Sequence, residues 1–316
     1  MSSQATAYFT HPVCVLHEMG PGHPEQPARI AAVEDRLKAA GLYDFLLHRQ
    51  AGAAGFEQLA HAHDHLYLDE LAAASPKADQ VLIQVDPDTA MNRHSLDAAA
   101  HAAGAAVAAV DTVLAGEARS AFCNTRPPGH HAERHQAMGF CFYNSVAIAA
   151  YHALQAHGLA RVAIIDFDVH YGNGTADIVA ADERILLCSS YQFPLYPLSA
   201  PAHVAANFSN ILLSPGAGSA EFREAVTARW LPDLAAFQPQ LVLFSAGFDA
   251  HAEDPLAELR LHEDDYAWVT RQILKATAAS AGLRAVSTLE GGYNLSALGR
   301  SATAHIQALM EPDAPA

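Results

Sequence analysis

Cysteine is scarce in this chain of 316 residues, and the four present, Cys14, Cys123, Cys141 and Cys188, form no C-x-x-C pair. That pattern excludes a cysteine-closed structural metal site and fits reduced, buried thiols in a cytosol. Basic residues are also few. With 18 Lys+Arg against 34 Asp+Glu the net charge is −16, which opposes binding to nucleic acid or anionic membranes and steers cationic substrates inward. No apolar run reaches the roughly 18 residues of a membrane span, and Met1-Ser-Ser-Gln-Ala-Thr lacks the basic and apolar regions of a secretory signal. A cytoplasmic protein with no membrane or nucleic-acid partner is expected. Charged residues make up 16% and hydrophobic residues 51%, enough for a large core and no disordered half. One domain over residues 1–316 is expected, because α/β folds stay undivided at this length.

Apolar runs of strand length alternate with segments of helical period, the pattern of a mainly parallel sheet with helices on both faces. The strand candidates are Val13–Leu16, Ser120–Cys123, Val162–Asp166, Ile185–Cys188, Leu241–Ser245 and Ala285–Leu289. The helix candidates are Pro27–Ala40, Leu96–Ala115, Ser145–His157, Glu221–Phe237, Glu263–Ala281 and Ser296–Leu309. Of the 19 histidines, His61, His63 and His65 lack ligand spacing and read as solvated. The Pro/Gly-rich segments Arg126–Asn144, Gln192–Pro201 and Glu290–Asn294 follow strands, so they should share the rim where α/β sheets bind ligands.

The chemistry-bearing residues fall in those loops or directly after the Val162–Asp166 and Leu241–Ser245 strand candidates. Asp168 and His170, after Val162-Ala-Ile-Ile-Asp166, and Asp249, after Leu241-Val-Leu-Phe-Ser245, supply two carboxylates and an imidazole. Three protein ligands suit a catalytic metal site with an open fourth position. If the strand continues, Asp166, Asp168 and His170 project from one face at spacing i, i+2, i+4. Arg126-Pro-Pro-Gly-His-His-Ala offers His130 and His131 for acid–base work near neutral pH, and Tyr293, after Glu290-Gly-Gly, offers a phenol to a developing oxyanion.

Taken together, Gly129-His130-His131, Gly139-Phe140-Cys141, Asp166-x-Asp168-x-His170-x-Gly172-Asn173-Gly174-Thr175, Ser245-Ala-Gly-Phe-Asp249 and Glu290-Gly-Gly-Tyr293 resemble the zinc-dependent histone deacetylase family. The likeness reaches back to His23-Pro24-Glu25-x-Pro27-x-Arg29 and so spans nearly the whole chain. The resemblance implies a single-domain, arginase-like α/β fold with a mostly parallel sheet of about eight strands. It also implies amide hydrolysis with Zn2+ held by Asp168, His170 and Asp249. On the same resemblance His130 and His131 match the catalytic pair, Tyr293 the carbonyl-polarising tyrosine, and Asp166 and Asn173 the partners of the two histidines. Asn173 follows the class II pattern, where class I members carry Asp. A structural K+ would sit near Asp166, Asp168, His170, Ser189 and Ser190.

Gly139, Phe140, Tyr196 and Leu256 match the walls of the substrate tunnel. Leu256 stands where acetylpolyamine-selective relatives place Glu, which leans the expectation towards acyl-lysine peptides or proteins over small acylated amines. Three departures from the family pattern are Tyr171, where relatives have a second histidine, Leu198-Ser199-Ala200, in place of a Gly-rich turn, and the lack of long insertions around the rim. Rival readings are a two-manganese ureohydrolase, which would want Asp at position 173, and a catalytically silent acyl-lysine-binding module, against which every ligand, His131 and Tyr293 stand. A homo-oligomer is allowed, but no segment marks its surface.

Overall fold

Successive residues of each central strand enter different apolar layers, as the two-residue period of a strand dictates. Val162 and Ile164 lie in one core while Ala163 and Ile165 lie in the other, and Leu241 and Leu243 alternate in the same way with Val242 and Phe244. Strands buried on both faces read as continuous apolar runs, and their backbone groups must pair with neighbouring strands.

The computed structural model describes residues 5–79, 81–198 and 205–312. The strands are β1 (Thr6–Phe9), β2 (Leu47–Arg49), β3 (Ile83–Asp86), β4 (Thr89–Met91), β5 (Ser120–Cys123), β6 (Val162–Asp166), β7 (Ile185–Gln192), β8 (Phe208–Leu213), β9 (Leu241–Ala246) and β10 (Ala285–Leu289). The helices are α1 (Ala28–Ala39), α2 (Phe56–Leu59), α3 (His65–Ala74), α4 (Ser95–Leu114), α5 (Ser145–Gln155), α6 (Asn173–Val179), α7 (Ser219–Ala228), α8 (Trp230–Phe237), α9 (Glu263–Ala281) and α10 (Leu295–Met310). Eight strands form one sheet in the order β2-β1-β5-β10-β9-β6-β7-β8, with every pairing parallel. Helices α2 to α6 cover one face and α1 with α7 to α10 the other. The α/β class, the parallel sheet and the two helical layers agree with the sequence expectation. β3 and β4 form a separate antiparallel hairpin. No helix among the described residues is long and apolar enough to cross a membrane.

Three local expectations are corrected. Val13–Leu16 is no strand: Pro12–Val15 is a 3-10 turn, with Pro12 at its start and His11 Nδ1 accepting the Val13 N–H at 3.2 Å. The edge-ward strand is β1, just upstream. Glu221–Phe237 is two helices that break at Arg229. Pro232 lacks an N–H to donate and is tolerated only in a first turn, which α8 supplies. β6 ends at Asp166, so Asp168 and His170 are not strand pleats. Each carboxylate instead accepts the N–H two residues on, Asp166 Oδ1 from Asp168 at 3.1 Å and Asp168 Oδ1 from His170 at 2.9 Å. These are Asx turns, which curl the chain over the strand end.

Candidate active site

The C-terminal ends of β5, β10, β9 and β6, neighbours at the middle of the sheet, deliver four loops to one place. The β5 loop is held by Arg126, which is fully buried. Its guanidinium meets the Glu25 carboxylate through Nε (2.5 Å) and Nη2 (2.6 Å) and also donates to the carbonyls of Cys14 and His17. A paired, fork-on-fork geometry of this kind makes a buried charge tolerable. Farther along the loop, Glu290 Oε2 accepts the N–H groups of Gly129 (2.6 Å) and His130 (3.1 Å), which ties the β10 loop to the histidine pair. Burial pushes the Glu290 carboxyl up to about 7 against those donors.

Asp168, His170 and Asp249 offer one ligand atom each within 4.8 Å of one another, all buried. His170 Nδ1 lies 3.0 Å from Asp168 Oδ1 and 3.1 Å from Asp249 Oδ2. The other oxygens are fixed by backbone: Gly291 N–H donates to Asp168 Oδ2 at 2.8 Å and Val169 N–H to Asp249 Oδ1 at 2.9 Å. Gly291 is required, since a Cβ there would strike both carboxylates. Asp249 Oδ2 is buried and faces only the His170 imidazole. Burial alone would strip charge from His170, yet the two carboxylates hold its pKa up at about 10, so the cluster stabilises a positive charge at its centre.

The two histidines are driven apart. His130 donates or accepts at Nδ1 with Asp166 Oδ2 (3.0 Å); burial opposes its charge, but the carboxylates of Asp168 and Asp166 outweigh it and raise its pKa. His131 is lowered by burial first and then by the charges of His130 and His170. The hydrogen bond with Asn173 raises it, but as the smallest of these influences. Asn173 instead orients the ring: its Oδ1 faces His131 Nδ1 at 2.7 Å, while its Nδ2 donates to Glu133 Oε1 at 2.7 Å.

Asp88, His131, Gly139, Phe140, His170, Leu195, Tyr196, Leu256 and Tyr293 line a pocket of about 220 Å³ above this cluster. Tyr196 packs edge-on against His131 (5.2 Å between centroids), and Phe140 edge-on against Tyr293 (5.9 Å). Gly139 has φ +56°, and a Cβ there would run into the His131 ring. Phe140 is also left-handed, at φ 70°, a conformation costing about 1–2 kcal/mol for a side-chain-bearing residue. The β3–β4 hairpin stabilises it: Asp88 Oδ1 accepts the Gly139 N–H at 3.1 Å and Thr89 Oγ1 the Phe140 N–H at 2.9 Å. Burial raises the Tyr293 phenol well above its ordinary value, so it is a hydrogen-bond donor at neutral pH.

The site thus gathers Asp166, Asp168, His170, Asp249, His130, His131, Asn173, Tyr293, Gly139, Phe140, Tyr196 and Leu256. Ser189 lies beside Asp166 on β7, in register with it, and Ser190 follows. Tyr171 is buried and packs on Tyr191 in the first core. Leu198 is exposed, while Ser199 and Ala200 lie outside the described residues. His63 corrects an expectation: it is buried, with Nδ1 at 2.9 Å from the Glu133 carbonyl and Nε2 accepting the Asn144 N–H at 2.9 Å. Sequence reading gave no role to Glu133, Asp88 or Asp254, whose Oδ2 accepts the Tyr293 N–H at 2.7 Å. Glu133 follows the histidine pair by two residues, which is the one available signal; Asp88 and Asp254 carry none.

The family model described as histone deacetylase domain matches residues 23–309. The histone deacetylase-like amidohydrolase of Pseudomonas aeruginosa is 36% identical to this chain over 319 residues, covering 92% of this chain and 82% of the relative. The polyamine deacetylase HDAC10 of Homo sapiens is 34% identical, covering 92% and 45%. A solved structure titled as the HDA15 HD domain superposes with a TM-score of 0.90 at 32% identity, covering 98% of this chain and 91% of that one. The chain belongs to the histone deacetylase family.

Proposed function

We propose that the chain is a zinc-dependent amidohydrolase that removes acetyl or another short acyl group from lysine side chains. The observation that carries this reading is the buried Asp168–His170–Asp249 cluster, its three ligand atoms within 4.8 Å of one another, at the floor of a pocket lined by His131 and Tyr293. Two carboxylates and an imidazole that together stabilise positive charge fit a Zn2+ ion, and the family is one in which zinc is general. When bound, Zn2+ would supply Lewis acidity to water and to the scissile carbonyl. Asn173 Oδ1 requires the proton of His131 on Nδ1, which leaves Nε2 free to take a proton from water and later return it to the leaving amine. His130, kept cationic by Asp166 and Asp168, would serve as electrostatic support. Tyr293 would donate its O–H to the oxyanion. The narrow aromatic walls suit an alkyl chain rather than a planar or branched substrate.

The same reading takes a structural K+ near Asp166, Asp168, His170, Ser189 and Ser190, on the observation that Ser189 Oγ is buried with no hydrogen-bond partner. It takes a cytoplasmic setting on the four free, buried cysteines. Acetylated polyamines are the second reading, because Asp88 brings a carboxylate to a rim that Leu256 leaves neutral. Acetate release from an acetyl-lysine peptide and an acetylated polyamine, measured side by side with Tyr293→Phe as control, decides. Release from the peptide, lost in the variant, supports acyl-lysine; preference for the polyamine transfers the reading to Asp88; no release from either refutes acetyl removal and transfers the reading to another acyl group or a binding role.

A further inference from the structure

Two histidines and a carboxylate converge at the C-terminal ends of α4 and α5, outside the pocket lining. Asp111 sits on α4, His152 on the last turn of α5, and His157 two residues beyond it. Nε2 of each imidazole lies 2.7 Å from the same atom, Asp111 Oδ1. The His152 and His157 side chains are only 12% and 29% exposed, and the rings contact each other edge-on at 5.4 Å, so packing holds both towards the carboxylate. His61, from the turn after α2, is close enough to His152 to interact with its charge, and His61 Nδ1 is buried with no hydrogen-bond partner.

The geometry points to a second metal site on this chain: a Zn2+ ion bound by Asp111, His152 and His157. Three ligand-type atoms already lie within 4.8 Å of one another, and carboxylate oxygen and imidazole nitrogen are both ligands that Zn2+ takes. Two imidazole nitrogens favour a borderline transition cation over Mg2+ or Ca2+, which prefer oxygen. The ion would join α4 to the end of α5 and stabilise the chain in proportion to the logarithm of its concentration over its dissociation constant. A comparable cluster at His251, His262 and Glu263 does not qualify. His251 Nδ1 already accepts the Glu253 N–H, and Glu263 is paired with Arg300.

The test is equilibrium dialysis of the full, tag-free chain against Zn2+, with bound metal counted per chain. His152→Ala/His157→Ala should lose one equivalent relative to wild type, and Asp168→Asn/Asp249→Asn should keep that equivalent, so the outcome is independent of zinc at the pocket. Zn2+ should also raise the thermal midpoint of the Asp168→Asn/Asp249→Asn protein, and Asp111→Asn added to it should abolish the rise. Circular dichroism checks folding, and His157→Gln, outside any helix, replaces the double variant if that fails to fold. Equal stoichiometry in folded wild type and histidine variants overturns the proposal.

Discussion

Asn173 decides which nitrogen of His131 faces the pocket, and Glu133 decides which way Asn173 points. An amide can turn over; with Nδ2 given to a carboxylate, only Oδ1 is left for the imidazole. Glu133→Gln can offer an amide N–H where Asn173 needs an acceptor, so we expect kcat to fall by about tenfold with KM little changed. A steady-state comparison showing an equal change in both constants would contradict a positioning role. Tyr293→Phe removes the proposed oxyanion donor without unfolding the loop, which Asp254 and the Gly291 N–H hold from the backbone side, and should cost roughly 100-fold in kcat. Retained turnover would place the donor elsewhere. At this scale the sequence was most informative where residue type and chemistry coincide, as at Asp168, His170 and Asp249. It was silent on the roles of Glu133, Asp88 and Asp254, because their contacts to the site join residues 39 or more positions apart.

Most central strands of the sheet were legible, whereas the half-buried elements and the buried β1 were not. β5, β6, β9 and β10 are continuous apolar runs, whereas β2 and β8 show mixed exposure and the β3–β4 hairpin has no strong alternation, so no period separates them from loops. The cost of missing the hairpin is functional, since Asp88 and Thr89 brace Gly139 and Phe140. Thr89→Val should therefore raise KM more than it lowers kcat, and an unchanged KM would deny the brace. Two buried histidines tie elements together with neutral rings. His305 on α10 sits between Thr270 of α9 and Ser287 of β10, and burial lowers it to about 3; His63 is lowered to about 4. Both are depressed below the unfolded value near 6.5, so the unfolded chain takes up protons first and stability falls as pH drops from about 6.5 towards 4. By pH 5 each histidine should have cost about 2 kcal/mol. Denaturant titrations of wild type and His305→Asn at pH 7 and 5 should show a smaller pH loss in the variant; identical losses would contradict the linkage.

The whole molecule places its chemistry where the sheet is best supported. β9, β6 and β10 lie inside the sheet, flanked by strands on both sides, so the ligand-bearing loops start from fixed ends. The net charge of −16 surrounds a site that itself stabilises a cation, which should favour entry of positively charged substrates and make KM for a cationic acetylated peptide rise with salt. A KM independent of ionic strength would remove steering from the account. The central claim is that Asp168, His170 and Asp249 form a metal-dependent hydrolytic centre. It is tested most directly by stripping the chain with a chelator, restoring one equivalent of Zn2+, and measuring acetate release from an acetyl-lysine peptide in wild type and in Asp249→Asn. Loss on stripping, recovery with Zn2+ in wild type and no recovery in the variant is the predicted result, while release that survives metal removal or the Asp249→Asn substitution would contradict it.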